Sequence, residues 1–267
     1  MRRKKIRFSS IYHALLLIMM YLPIVVVVVY SFHASKSTIR WEGWSLDWYR
    51  KLVKNRGLLE SLKNSLILAA ASSGAAGVIG TLGAVGMAKI AWKSKGAVEY
   101  ISTLPIMIPE IILGMVFMAF FAMIGLPFGM VTLILGHTSF CIPYVFMMVK
   151  SSLVGLDKSL GEAAKDLGAS ERRVFFDITL PLILPAVISG MLLAFAMSLD
   201  DVVISIFVTG ARTNTLPIRI YTQLKSGVTP EINALCTIML AVTFVIVGLS
   251  RLMGRKAAGK QQGQATN

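Results

Sequence analysis

Six apolar stretches, at about 11–32, 61–88, 98–125, 129–149, 182–208 and 232–252, constrain this chain more than any other feature. Each is about as long as a helix must be to cross the hydrocarbon core of a bilayer. Inside lipid no water meets the backbone, so a spanning segment has to satisfy its own N–H and C=O groups, and a helix does that. Only 15% of the residues are charged, and the pieces between the stretches are too short and scattered to build a second core. The expected fold is all-α and integral to the membrane: one domain, 1–267, with six transmembrane helices. An ordinary soluble enzyme, a disordered chain and a coiled coil are excluded.

The formal net charge is +14, from 27 Lys and Arg against 13 Asp and Glu. Such an excess suits nucleic acid when it gathers on one face; here it sits at both termini and between the apolar stretches. It reads as topogenic charge with some attraction to anionic lipid headgroups, and no nucleic-acid partner is expected. With both termini in the cytoplasm, the inner pieces hold 17 Lys and Arg and the outer pieces 10. The basic start and the first apolar run have the order of a secretion signal. The run is too long for one, and Phe32-His33-Ala34 is a poor cleavage site, so a retained first helix is expected. The polar tail 256–267 is expected to be disordered.

In the first outer loop, Trp41, Trp44, Trp48 and Leu52 recur at helical spacing, and Ser45 is placed to cap a helix from Leu46. Such a stripe suits a helix lying at headgroup level. The second stretch carries Gly74, Gly77, Gly80, Gly83 and Gly86, whose three-residue steps drift around a helix and would serve close crossings with several neighbours. Cys141 and Cys236 lie inside apolar runs without metal spacing, and His13, His33 and His137 are far apart. No disulfide, metal site or catalytic group is expected. Gly254 to Lys260 imitates a phosphate loop, but Gln261 stands where the metal-binding hydroxyl belongs, and no strand precedes it. The chain has no cofactor site of its own.

The segment 157–181 is informative. Asp157 is placed to cap a helix ending at Leu167, Gly168 supplies a left-handed C′ position, and Ser170 caps a second helix with Glu171 in its first turn. Two short helices around a tight bend make a compact knob, with Ala163 and Ala164 keeping its surface small. As a pattern, this suits either a docking element or a plain amphipathic connector.

Glu162-Ala163-Ala164, Gly168 and Ile178-x-Leu180-Pro181 resemble, at every position and spacing, the EAA loop of ABC-importer permeases. Further motifs are similar to the spermidine/putrescine-importer permeases: Trp44 to Tyr49, Ser198 to Val203, Phe207 to Gly210 and Val228 to Glu231. The resemblance implies a type I (MetI-like) permease fold that transports by alternating access. It implies four kinds of partner around the chain: a second homologous permease, a cytoplasmic ABC ATPase dimer, a periplasmic polyamine-binding protein and membrane lipid. ATP and Mg belong to the ATPase. Glu162, Ala163, Ala164 and Gly168 then become the positions that couple to it.

Glu110, Asp200 and Asp201 lie inside apolar stretches. An ionisable group there normally faces a partner or a watery path. Stretches three and five hold no Lys or Arg to neutralise these acids, whereas a cationic cargo would. The structural alternative has content as well: Ser198 with Asp201 suits a capping box at a helix break, and Glu110 after Pro109 suits the first turn of a half-helix. On an unbroken helix, Ser198, Asp201 and Ser205 form one polar stripe. Asp201 is then expected to face the path and Asp200 to bond across helices. A break at Ser198 would remove that preference. The rival readings are an ABC permease for ferric ion or an oxyanion, and a secondary cation transporter. Acidic residues in the path argue against an oxyanion, and the EAA pattern argues against a secondary transporter.

Overall fold

A computed structural model of the chain describes residues 8–36, 40–89, 95–157, 159–211, 213–225, 230–241 and 244. Among the described residues the regular elements are all helices, and the only strand-like feature is an isolated bridge between His33 and Trp44. Contacts gather the chain into two compact units, 1–59 with 222–267, and 60–221. Among the described residues, four helices are long and apolar enough to cross a membrane, five when one sharply bent pair counts as a span. The fold is therefore multi-pass and all-α.

In the first unit, α1 (Phe8–Tyr30) is apolar around its whole circumference, as a lipid-facing span must be. Just past its end, Ser31 Oγ donates to the Val28 carbonyl at 2.6 Å and lies 2.7 Å from the Tyr49 hydroxyl. The tryptophan stripe does not act as one surface. α2 (Asp47–Lys54) buries Trp48 and Leu52, and the Trp48 indole donates to the His33 carbonyl at 2.6 Å, whereas Trp44 stays 70% exposed. Ser45 Oγ accepts from the Asp47 N–H at 3.1 Å, and the helix starts at Asp47, one residue later than expected. Asn55 opens α3 (Arg56–Lys89) by accepting from the Leu58 N–H, and its amide donates to Glu231 at 2.9 Å. A further apolar helix, α12, covers Pro230–Ala241. The rest of the sixth stretch, apart from Phe244, lies outside the described residues. So do Val228 and Thr229, the phosphate-loop imitation and the tail.

In the second unit, α6 (Met130–Val154) is the central element, and α9 (Leu180–Asp200) packs along it. Val145 of α6 is fully buried where three helices converge. A Cβ at Gly80 of α3 would lie 2.9 Å from Val145 Cβ, and one at Gly190 of α9 would lie 3.0 Å from Val145 Cα. Missing side chains thus set the helix distances at Gly80 and Gly190, whereas a Cβ at Gly74 or Gly86 of the expected series would meet nothing within 4 Å.

Two expected spans are broken. The stretch 98–125 forms α4 (Lys95–Met107) and α5 (Glu110–Met123), which meet at 104°. Pro109 is responsible: it has no N–H, and its ring disfavours helical backbone at Ile108. The stretch expected at 182–208 begins earlier. The three residues of α8 (Glu171–Arg173) pass through a π-helical turn, Val174–Thr179, straight into α9. The second short helix of the knob is therefore the first turn of a 30-residue helix. That helix stops at Asp200, Asp201 is extended (ψ 125°), and α10 (Val203–Val208) starts afresh. α7 (Ser159–Asp166) precedes the long helix, and α11 (Leu216–Leu224) follows α10.

Candidate functional site

The break after α9 is held by a buried polar node. Asp201 accepts from the N–H groups of Ile204 at 3.2 Å and Ser205 at 2.8 Å, capping the first turn of α10 with both carboxylate oxygens. Its Oδ2 also lies 3.4 Å from His137 Nε2 of α6, and its side chain is only 4% exposed. His137 Nδ1 lies 2.8 Å from Ser198 Oγ, and Nε2 lies 3.0 Å from Ser205 Oγ. Ser198 reaches Ser72 of α3 at 3.0 Å, and the Ser72 hydroxyl donates to the Leu68 carbonyl at 2.7 Å. The inventory of protons then orders the chain. Ser72 spends its hydrogen on Leu68, Ser198 donates to Ser72, and His137 therefore donates from Nδ1 to Ser198. α3, α6, α9 and α10 meet in this one network.

Three of the five expected path residues, Ser198, Asp201 and Ser205, come together here, and the other two do not. The helix stops before position 201, which removes the stripe from which Asp201 was expected to face the path. Asp201 is enclosed at the start of α10 beside His137. Asp200, expected to bond across helices, ends α9 exposed, its carboxylate without a hydrogen bond among the described residues. Ser198 and Asp201 form no capping box: the break falls at Asp201, and Ser198 stays within α9. Glu110 is the first residue of α5 and is exposed. Among the described residues, neither the Glu110 nor the Asp200 carboxylate has a hydrogen bond or ion pair. α5 packs against α10, with Gly114, one turn beyond Glu110, against Ile204 and Phe207. The half-helix that opens with Glu110 and the one capped by Asp201 are direct neighbours.

His137 and Ser72 were missed as site residues. Their sequence signal is a short polar patch within a largely apolar run, Ser72 with Ser73 and His137 with Thr138 and Ser139, which by itself names no partner.

The knob forms as the local signals require. Asp157 Oδ1 accepts from the Ser159 N–H at 3.0 Å, and the backbone and hydroxyl of Ser159 hold the Asp157 carboxyl below the usual carboxylate range. At the other end of α7, Gly168 (φ +85°) donates to the Lys165 carbonyl and Ala169 to the Ala164 carbonyl, the paired bonds of a Schellman cap. Glu162, Ala163 and Gly168 are exposed and Ala164 is half-buried. Ser170 Oγ accepts from the Arg173 N–H, but at a long 3.5 Å.

Residues 76–256, more than half of the chain, match the family described as "Binding-protein-dependent transport system inner membrane component". The spermidine/putrescine transport system permease protein PotC of Haemophilus influenzae is 41% identical over 237 residues, which cover 89% of this chain and 92% of that one. The putrescine transport system permease protein PotI of Escherichia coli is 41% identical over 234 residues, covering 85% and 83%. Among solved structures, a bacterial ABC transporter involved in the import of the acidic polysaccharide alginate superposes with a TM-score of 0.71 at 14% identity, over 96% of this chain and 98% of that one. The MetNI methionine ABC transporter, in inward-facing conformations, gives 0.55 at 17% identity, over 73% and 95%. These two structures share the fold, which by itself selects no cargo.

Proposed function

We infer that this chain, which belongs to the family of binding-protein-dependent transport system inner membrane components, is a permease subunit of an ATP-driven importer of the polyamines spermidine and putrescine. The observation that carries this reading is the 41% identity to a spermidine/putrescine permease along 89% of the chain. A second homologous permease supplies the other half of the path, a periplasmic polyamine-binding protein delivers cargo, and an ABC ATPase dimer holds ATP and Mg. Both termini lie in the cytoplasm with the knob 157–181, whose Glu162, Ala163, Ala164 and Gly168 meet the ATPase. The inner-side excess of Lys and Arg supports that orientation.

The residues divide the work of transport. Asp201 spends its charge on two backbone N–H groups beside His137, so it sets the position of the break. Glu110 and Asp200, both exposed and unengaged among the described residues, are the acids left to meet a passing ammonium group. A polyamine that shed water without such partners would lose several kcal/mol per charge. Separated single carboxylates also keep binding weak enough for release.

The test is uptake in a complex reconstituted with its partners, comparing spermidine, putrescine and a neutral analogue. Glu110→Gln and Asp200→Asn should each slow polyamine uptake about tenfold, a barrier change of about 1.4 kcal/mol, with membrane levels unchanged. Uptake at the parent rate in both variants would remove these acids from the path. Uptake that persists without ATP would point to a secondary transporter.

A further inference from the structure

Glu171 stands where three elements meet. It is the first residue of the helix that runs through the π-helical turn and α9 to the Asp201 break. One carboxylate oxygen accepts from Lys89 Nζ at 2.6 Å, from the last residue of α3. The other pairs with Lys165 of α7, two residues beyond Ala163. These groups edge a cavity of about 440 Å³ whose floor is apolar, with Leu153, Leu156, Val174 and Leu182. Asp157 and Glu162 line the same cavity, yet Glu171 is the acid that takes both lysines. All three side chains are about half exposed, so the pairs add little to stability. What they do fix is direction. They tie the docking helix α7 to the first turn of one spanning helix and to the end of another, where backbone bonds alone leave the knob joined to α9 through the Gly168 bend.

We propose that Glu171 is a positioning residue for energy coupling: its paired contacts to Lys165 and Lys89 pass the displacement of α7 to α8–α9 and α3 together. This rests on the polyamine-importer reading above, in which α7 meets the ATPase. When the clamp holds, the long helix turns with the knob and moves the break at Asp201. When it is lost, the knob swings about Gly168, and ATP is hydrolysed with less cargo moved. Exposed ion pairs suit this task, because they can be broken and remade within each cycle.

The experiment measures ATP hydrolysed and polyamine taken up in the same reconstituted complex. Glu171→Lys, which sets three cations together, should lower uptake per ATP about threefold, with membrane level and ATPase co-purification unchanged. The triple reversal Lys89→Glu, Lys165→Glu, Glu171→Lys should restore the ratio to within about twofold of the parent. An exposed residue with only a structural role would move total activity and leave the ratio alone. An unchanged ratio in Glu171→Lys, or no recovery in the triple reversal, overturns the proposal. Should the single variant fail to assemble, the triple reversal decides alone: a near-parent ratio supports the clamp, and a low one refutes it. The parent complex is the separate control on the importer reading, which fails if that complex shows no ATP-dependent polyamine uptake.

Discussion

The helix from Glu171 to Asp200 is held at its two ends by opposite means. At Glu171 the ties are exposed charges on Lys89 and Lys165, screened by salt and free to exchange with water. At the far end, Asp201, His137, Ser198 and Ser205 are buried, and each polar atom of the node depends on its neighbours. Surface pairs contribute little to stability and break reversibly. A buried network holds firmly only while complete, because a group left without its partner bears its full desolvation penalty. Rigidity therefore belongs to the break and adjustability to the knob. The π-helical turn lies between them on the knob side.

The sharpest way to break this comparison is to empty the node. Asp201→Ala orphans the N–H groups of Ile204 and Ser205 and leaves His137 facing a void. The expected loss is about 3–5 kcal/mol, read as a large drop in thermal midpoint in detergent and in membrane level. Asp200→Asn, one residue away and exposed, should stay within about 0.5 kcal/mol of the parent. Equal effects from the two would dissolve the distinction between a buried cap and an exposed acid.

A smaller effect is expected at the bend. Gly168→Val forces a β-branched residue to φ +85°, at about 1–2 kcal/mol. Proteolysis at the exposed Leu167 should rise and ATPase co-purification should weaken, while the global thermal midpoint moves little. A midpoint shift as large as that of Asp201→Ala would show that the knob is not the adjustable end.

The smallest effect is a matter of pH. Because the Asp157 carboxyl is held below its unfolded value, its contribution to α7 is complete above the ordinary aspartate range and is lost as pH falls through the lowered folded value. Acidification should loosen the start of α7, seen as a lower protection factor at Ser159 (its exchange relative to an unstructured chain at the same pH), while the α3–α6 core stays protected. Asp157→Asn should remove most of that pH dependence. A protection factor at Ser159 that ignores pH in the parent would show that the cap does not hold the knob.

Helices were legible because lipid makes hydrogen bonding a local matter: long apolar runs can satisfy their backbone in no other way, and Pro109 or Gly168 acts on its nearest neighbours only. The knob was legible for the same reason. Asp157, Gly168 and Ser170 sit within a few residues of the groups they cap. The helix after Ser170 was misjudged only in its length, since nothing local ends it before Asp200.

The node was decided by tertiary structure alone. His137 and Ser198 are 61 residues apart and Ser72 and Ser198 126 apart, and nothing in the local sequence of any of them names its partner. Which of the adjacent acids is buried depends on where the backbone leaves the helix, a matter of degrees at one residue. Packing of α10 against α5 and α6 selects that geometry, and helical periodicity carries no information across it.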